Sequence, residues 1–154
     1  MLRAGADKVS LNSAAVKNPD LIKEGAAMFG NQCIVLAVDG RMRQDQSGWN
    51  VVINGGRIDT GMDLLEWVKQ AVSLGAGEIL LTSMDADGTK QGFDILYARQ
   101  CVKSLMYQSL PVAVVVHWNT LRKPLKKKHV MRHFAASMFH YGEVTIPQVK
   151  EYLK

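Results

Sequence analysis

Cysteine is scarce: Cys33 and Cys101 are the only two among 154 residues, too few to staple a disulfide-dependent fold. Proline (4) and glycine (13) are also too few for a collagen-like or low-complexity chain. No apolar run approaches the roughly 20 residues that a membrane-spanning helix needs. The opening Met1-Leu2-Arg3-Ala4-Gly5-Ala6-Asp7 lacks the apolar core of a signal peptide. A cytoplasmic protein with reduced thiols and no membrane partner is therefore expected. His117, His129, His133 and His140 form no HExxH or clustered His/Cys spacing, so no metal site is expected. Nucleophile-elbow, Walker A and dinucleotide fingerprints are missing too, and no cofactor is expected.

What is present is ordinary globular composition, 47% hydrophobic and 21% charged, enough for one domain with a core. The net charge of +5 is local. Residues 112–134 hold Arg122, Lys123, Lys126, Lys127, Lys128 and Arg132 and no carboxylate, while the rest of the chain has 13 basic and 14 acidic residues. With no aromatic residue between Arg122 and Arg132, that basic run reads as a solvated or unstructured segment, and no nucleic-acid partner is expected.

Strand and helix patterns alternate. Lys8–Asn12 is a short strand candidate. Asn18-Pro19 opens a helix, Asn18 as N-cap, with a stripe of Leu21, Ile22, Ala26 and Phe29 that Gly30-Asn31 stops. Cys33–Asp39 is a continuous apolar run ending in an acid, the pattern of a parallel strand buried on both faces. A small hairpin is expected within 40–61, around Trp49–Ile53. Thr60 and Asp63 resemble a capping box before a helix carrying Leu64, Leu65, Val68, Ala71 and Val72, ended by Gly75-Ala76-Gly77. Glu78–Ser83 is the next strand, followed by a helix over 93–107 and a strand over 110–116. Thr145-Ile146-Pro147-Gln148 caps a last helix, Val149–Leu153. Met84, Met106, Met131, Met138, Trp49 and Trp67 read as packing residues. The alternation specifies an α/β chain with a parallel sheet, either a (βα) barrel or a doubly wound sheet.

In both architectures ligand chemistry sits at the carboxyl edge of the strands. Asp39, at such an edge, is either a helix or turn cap or a general acid or base. Asp87-Gly88-Thr89 is either a plain turn or a phosphate nest, where glycine lets backbone N–H groups approach an anion. Asn12-Ser13 offers an amide and a hydroxyl at a third strand end.

Longer strings carry a resemblance. Ala4-Gly5-Ala6-Asp7-Lys8-Val9-Ser10-Leu11-Asn12-Ser13-Ala14-Ala15, Val38-Asp39, Asn54-Gly55-Gly56-Arg57, the run Gly75 through Thr89, and Ala136 through Glu143 occur in order. Together they resemble the cyclase subunit of imidazole glycerol phosphate synthase, of histidine biosynthesis, over residues 2–111 and again from about 135 to 154. The resemblance implies a TIM (βα)8 barrel of the phosphate-binding type and a glutaminase partner that supplies ammonia. It implies an enzyme of the lyase class, the cyclase half of a glutamine amidotransferase complex. The implied reaction takes a bis-phosphorylated formimino-aminoimidazole carboxamide ribonucleotide to imidazole glycerol phosphate and an aminoimidazole carboxamide ribonucleotide. By matched position, Asp39 is implied as a catalytic aspartate. Asn12 and Ser13 are implied at one phosphate site, and Asp87, Gly88, Ala136 and Ser137 at the other. Lys8 and Glu78 are implied at the ammonia entrance on the barrel's bottom.

The chain also departs from the family. Such a barrel takes about 250 residues, and this sequence begins just before the fourth strand, so about five βα units are expected in a single truncated domain, 1–154. Residues 112–134 lack the family's Ala-Ser-Gly-Gly turn although the flanks stay nearly in register, the pattern of a compensated reading-frame change or an error in the gene's assembly. Low activity of the chain alone is expected, since acid–base partners act as a unit. Self-association through open sheet edges is expected as well. The alternative is a non-catalytic fragment that retains phosphate or partner binding.

Overall fold

The apolar run at 34–38 becomes the centre of a sheet. The computed structural model describes residues 1–85, the strands at 112–115 and 130–134, Gly142, and residues 145–152. In chain order these are β1 (Val9–Leu11), α1 (Ser13–Lys17), α2 (Asp20–Phe29), β2 (Ile34–Met42), β3 (Trp49–Ile53), β4 (Ile58–Asp63) and α3 (Leu64–Ser73). Then come β5 (Glu78–Ser83), β6 (Val112–Val115), β7 (Val130–Phe134) and α4 (Ile146–Tyr152). The strands form one seven-stranded sheet in the order β4-β3-β2-β5-β6-β7, with β1 also on β2. β1, β2, β5, β6 and β7 run parallel, whereas β3 is antiparallel to both β2 and β4. This is an α/β architecture with a mixed sheet, consistent with part of a (βα) barrel.

One strand serves three neighbours. β5 pairs with Val35–Gly40 of β2. β1 takes Ile34–Leu36 and β3 takes Asp39–Met42. A strand has two edges, so β1 and β3 divide the one that β5 leaves. The expected strand end at Asp39 is thereby corrected: β2 runs three residues further, to Met42, because the hairpin pairs with it.

The helices cover one face. Along β2, buried residues alternate with half-buried ones. Ile34, Leu36 and Val38 join Trp49, Val51 and Ile53 of β3, Ile79 and Leu81 of β5, Ile22 and Ala26 of α2, and Leu64, Trp67, Val68 and Ala71 of α3 in one core. Each fully buried Ile, Leu or Val side chain there contributes about 1.5–3 kcal/mol relative to exposure. Trp49 and Trp67 are packing residues, as the sequence suggested. Burial of β2 on both faces was expected; Val35 and Ala37 are only half-buried, because α2 and α3 pack on the opposite face.

Local signals fare unevenly. Gly75 (φ 111) does end α3: its N–H bonds to Val72 O and the Ala76 N–H to Ala71 O, the paired bonds of a Schellman motif. The cap before α3 is Asp63, whose carboxylate accepts the Glu66 N–H at 3.0 Å. Thr60 lies in β4 and donates its hydroxyl proton to Val51 O instead. Asn18 makes no side-chain cap on α2, which starts at Asp20. Thr145 does cap the last helix, sharing reciprocal bonds with Gln148, but that helix begins at Ile146 rather than Val149. Short α1 had no periodic signal. The expected helix at 93–107, the outer ends of the 110–116 strand, and Met106 and Met138 lie outside the described residues. No helix among the described residues is long and apolar enough to cross a membrane.

Candidate functional site

The face of the sheet opposite α2 and α3 carries the polar residues. Parallel partners point to the same side, so Ser10, Val35 and Glu78 share one rung, Ala37 and Leu80 the next, and Asp39 and Thr82 the third. Lys8 and Asn12 flank Ser10 at two-residue spacing on the same face. Four residues separate the Glu78 rung from the Asp39 rung, roughly 13 Å along the strands at about 3.3 Å per residue.

At the amino edge of these strands Lys8 Nζ forms an ion pair with Glu78 Oε2. The Glu78 side chain is 6% exposed and that of Lys8 38%, so a nearly buried carboxylate meets a cation that still reaches solvent. At the carboxyl edge Asn12 Nδ2 donates to Asp39 Oδ2 at 2.9 Å. Asn12 sits at the N-cap position of α1 yet makes no side-chain cap. Its carboxamide is committed to Asp39, and a carboxylate is an acceptor, which sets the donor nitrogen toward it. No described residue hydrogen-bonds Asp39 Oδ1. The half-buried carboxylate is thus held through Oδ2 by Asn12.

The hairpin closes over the same edge. Ser13 Oγ accepts the Asn54 N–H at 3.1 Å, and Arg41 Nη2 donates to Gly56 O at 2.7 Å. Met84 N–H donates to Gly40 O at 2.8 Å, and Met42 N–H to Asp85 Oδ2 at 2.6 Å, tying the exit of β5 to the end of β2. Further out, Arg43 donates to Asn50 Oδ1 and to Asp63 Oδ2, both at 2.7 Å, and Asn50 Nδ2 donates to Asp59 Oδ2 at 3.2 Å. Burial opposes ionisation of Asp63, but the Glu66 N–H and the Arg43 guanidinium outweigh it and hold its carboxyl below the usual range. The Gly61 N–H and the Asn50 amide lower Asp59 likewise.

The structure therefore brings Asn12 together with Asp39, and Lys8 together with Glu78, at opposite ends of one sheet face. Ser13 stands beside Asn12 but is engaged by the hairpin. Asp87, Gly88, Ala136 and Ser137 lie outside the described residues. Arg41 and the backbone of Asn54–Gly56 also adjoin this edge, and the Asn-Gly-Gly string is the sequence signal for the tight turn. Among the described residues no three His, Cys, Asp or Glu side chains gather as a metal cradle.

A parallel sheet with acid and amide at its carboxyl edge, and an ion pair at its amino edge, is consistent with a site of the βα-barrel type. The chain belongs to the histidine biosynthesis protein family, whose model matches residues 1–145. It is 60% identical over 99% of its length to imidazole glycerol phosphate synthase subunit HisF of Clostridium botulinum (strain Alaska E43 / Type E3), covering 60% of that relative. The same-named subunit of Clostridium beijerinckii is 58% identical over 99% of the chain, with 60% of that relative covered. That of Bacillus cereus (strain G9842) is 53% identical over the whole chain, with 61% covered. The chain thus spans about three fifths of the length of the curated relatives it matches.

Proposed function

We propose that residues 1–154 form one domain with the role of the cyclase subunit of imidazole glycerol phosphate synthase, working in the cytoplasm. In this reading β1, β2, β5, β6 and β7 are strands of a phosphate-binding (βα)8 barrel, accounting for about five βα units, and β3–β4 is an insertion. Ammonia from a glutaminase subunit enters beside Lys8 and Glu78, at the amino edge. It travels along the inner face to the bis-phosphorylated ribonucleotide at the carboxyl edge. There it takes part in cyclisation and cleavage to imidazole glycerol phosphate and the aminoimidazole carboxamide ribonucleotide, a lyase reaction.

Asp39 moves protons in this scheme. One carboxylate oxygen fixed by Asn12 leaves the other oriented toward a reacting atom, which is what a general acid or base needs. Asn12 and Ser13 bind one substrate phosphate, and Asp87, Gly88, Ala136 and Ser137 the other. No cofactor enters the scheme. The observation that carries the reading is the Asn12–Asp39 contact at one end of a sheet face whose other end holds Lys8–Glu78, in a chain 50–60% identical to HisF subunits.

The test is turnover of the ribonucleotide with ammonium by the purified chain, alone and with a glutaminase subunit. Imidazole glycerol phosphate should form at a low rate, since acid–base partners act as a unit, and Asp39→Asn should lower that rate further. No turnover, with inorganic phosphate still raising thermal stability, would leave a phosphate-binding domain without catalysis.

A further inference from the structure

Three strand ends converge on one short turn. Ser13 follows β1, Arg41 is near the end of β2, and Met84 follows β5. The turn between β3 and β4 touches all three. Its Asn54 N–H donates to Ser13 Oγ at 3.1 Å, and its Gly56 carbonyl accepts from Arg41 Nη2 at 2.7 Å. A Cβ placed on Gly56 would stand 2.6 Å from Met84 Cε and 3.3 Å from Arg41 Nη2, so the turn is seated against both. Asn54, Gly55 and Gly56 all have positive φ (55, 68 and 77), and Gly56 alone of residues 54–57 is buried. The left-handed bend turns one peptide inward, onto the guanidinium. Asn12 and Asp39 adjoin this contact, one residue before Ser13 and two before Arg41.

We propose that the turn is a latch on the site and that Arg41 is its positioning residue. By holding the Gly56 carbonyl, Arg41 keeps the Asn54 N–H on Ser13. A hydroxyl has one proton to donate and two lone pairs that accept. With one lone pair taken by Asn54, the Ser13 proton is aimed away from the turn, at whatever acceptor occupies the site. A phosphate oxygen is such an acceptor, so turn docking and phosphate binding strengthen each other, and the coupling is reciprocal. This inference rests on the reading of Ser13 as a phosphate-binding group.

Hydrogen exchange of the 54–57 amides, with and without inorganic phosphate, tests it on the whole chain. Phosphate should slow exchange of the Asn54 amide in the wild-type chain. Arg41→Ala should speed that exchange about fivefold, the worth of one net hydrogen bond, and weaken phosphate binding without shifting the urea midpoint comparably. Arg41→Lys, which keeps one donor for one carbonyl, should restore part of both effects. Ser13→Ala should free the Asn54 amide with Arg41 still in place. If phosphate raises thermal stability but Arg41→Ala changes neither its affinity nor Asn54 exchange, the latch is refuted while the phosphate reading stands. If phosphate alters neither stability nor exchange of the wild-type chain, the phosphate reading of Ser13 fails and the coupling with it, even where Arg41→Ala still loosens the turn.

Discussion

Replacing Asp63 by alanine removes two contacts at the joint between the hairpin and α3. Oδ1 accepts the Glu66 N–H at 3.0 Å and Oδ2 accepts Arg43 Nη2 at 2.7 Å. Loss of an aspartate N-cap costs about 0.5–2 kcal/mol, commonly near 1. The Arg43 and Asp63 side chains are 28% and 37% exposed, so their ion pair is screened and adds only about 0.2–1 kcal/mol. Asp63→Ala should thus destabilise by about 1–2 kcal/mol. Asp63→Asn keeps a capping oxygen and should lose under about 1 kcal/mol. The pH dependence has a definite sign. The folded carboxyl is held below its ordinary value, so its stabilisation is complete above the unfolded value of about 3.9 and disappears as pH falls through the folded one. The gap between wild type and Asp63→Asn should therefore be full at neutral pH and close in acid. Urea unfolding followed by far-ultraviolet circular dichroism, across that pH range, measures all of this. A loss for Asp63→Ala within the roughly 0.5 kcal/mol of ordinary surface changes would refute the cap. Equal losses for alanine and asparagine would show that charge, not capping geometry, carries the effect.

Gly77→Ala should be among the costliest single methyl additions. Its Cβ would stand 2.2 Å from the Asn31 carbonyl oxygen, a backbone atom, and overpacking of this kind costs about 1–3 kcal/mol or more. Gly55→Ala, with nothing within 4 Å, should cost only the left-handed strain of about 1–2 kcal/mol, so urea midpoints should rank the two. Lys8→Ala takes the cation from a carboxylate that is 6% exposed and should destabilise by about 1–3 kcal/mol; adding Glu78→Gln should recover part of that loss in the same assay, and a strictly additive pair would deny the coupling.

The sequence carried the parallel strands because their apolar character is local: Ile34–Val38 and Ile79–Leu81 announce themselves within a few residues. The end of β2 was not local. Gly40-Arg41-Met42 has no strand-like run, and what keeps it extended is pairing with Trp49–Val51, which no window across 33–42 contains. Caps failed for a related reason. Asn18 and Thr60 are cap-type residues by identity, but Thr60 found a carbonyl across the hairpin, and Asp63 took the helix end. The site divides the same way. Asp39, Asn12 and Ser13 were legible as residue types at strand ends, yet the 2.9 Å contact between residues 27 apart follows from the β1–β2 register. Arg41 gave no signal, since its role depends on a carbonyl in a turn fifteen positions away.

The divided edge of β2 also constrains how this fold can change. β1 occupies its lower rungs and the hairpin its upper ones, so neither can lengthen toward the other without displacing its hydrogen bonds. Growth of the hairpin must go outward or not at all. Adding two residues to each arm would carry the tip about 7 Å along the strands with every side chain still facing its present side. A one-residue slip of β3 against β2 would instead exchange its two faces, driving Asn50 into the core and Trp49 and Val51 out of it. Viable length variants of this insertion should therefore lengthen the 43–48 end with the β2–β3 register kept, leaving the 54–57 turn on its present strand-end partners.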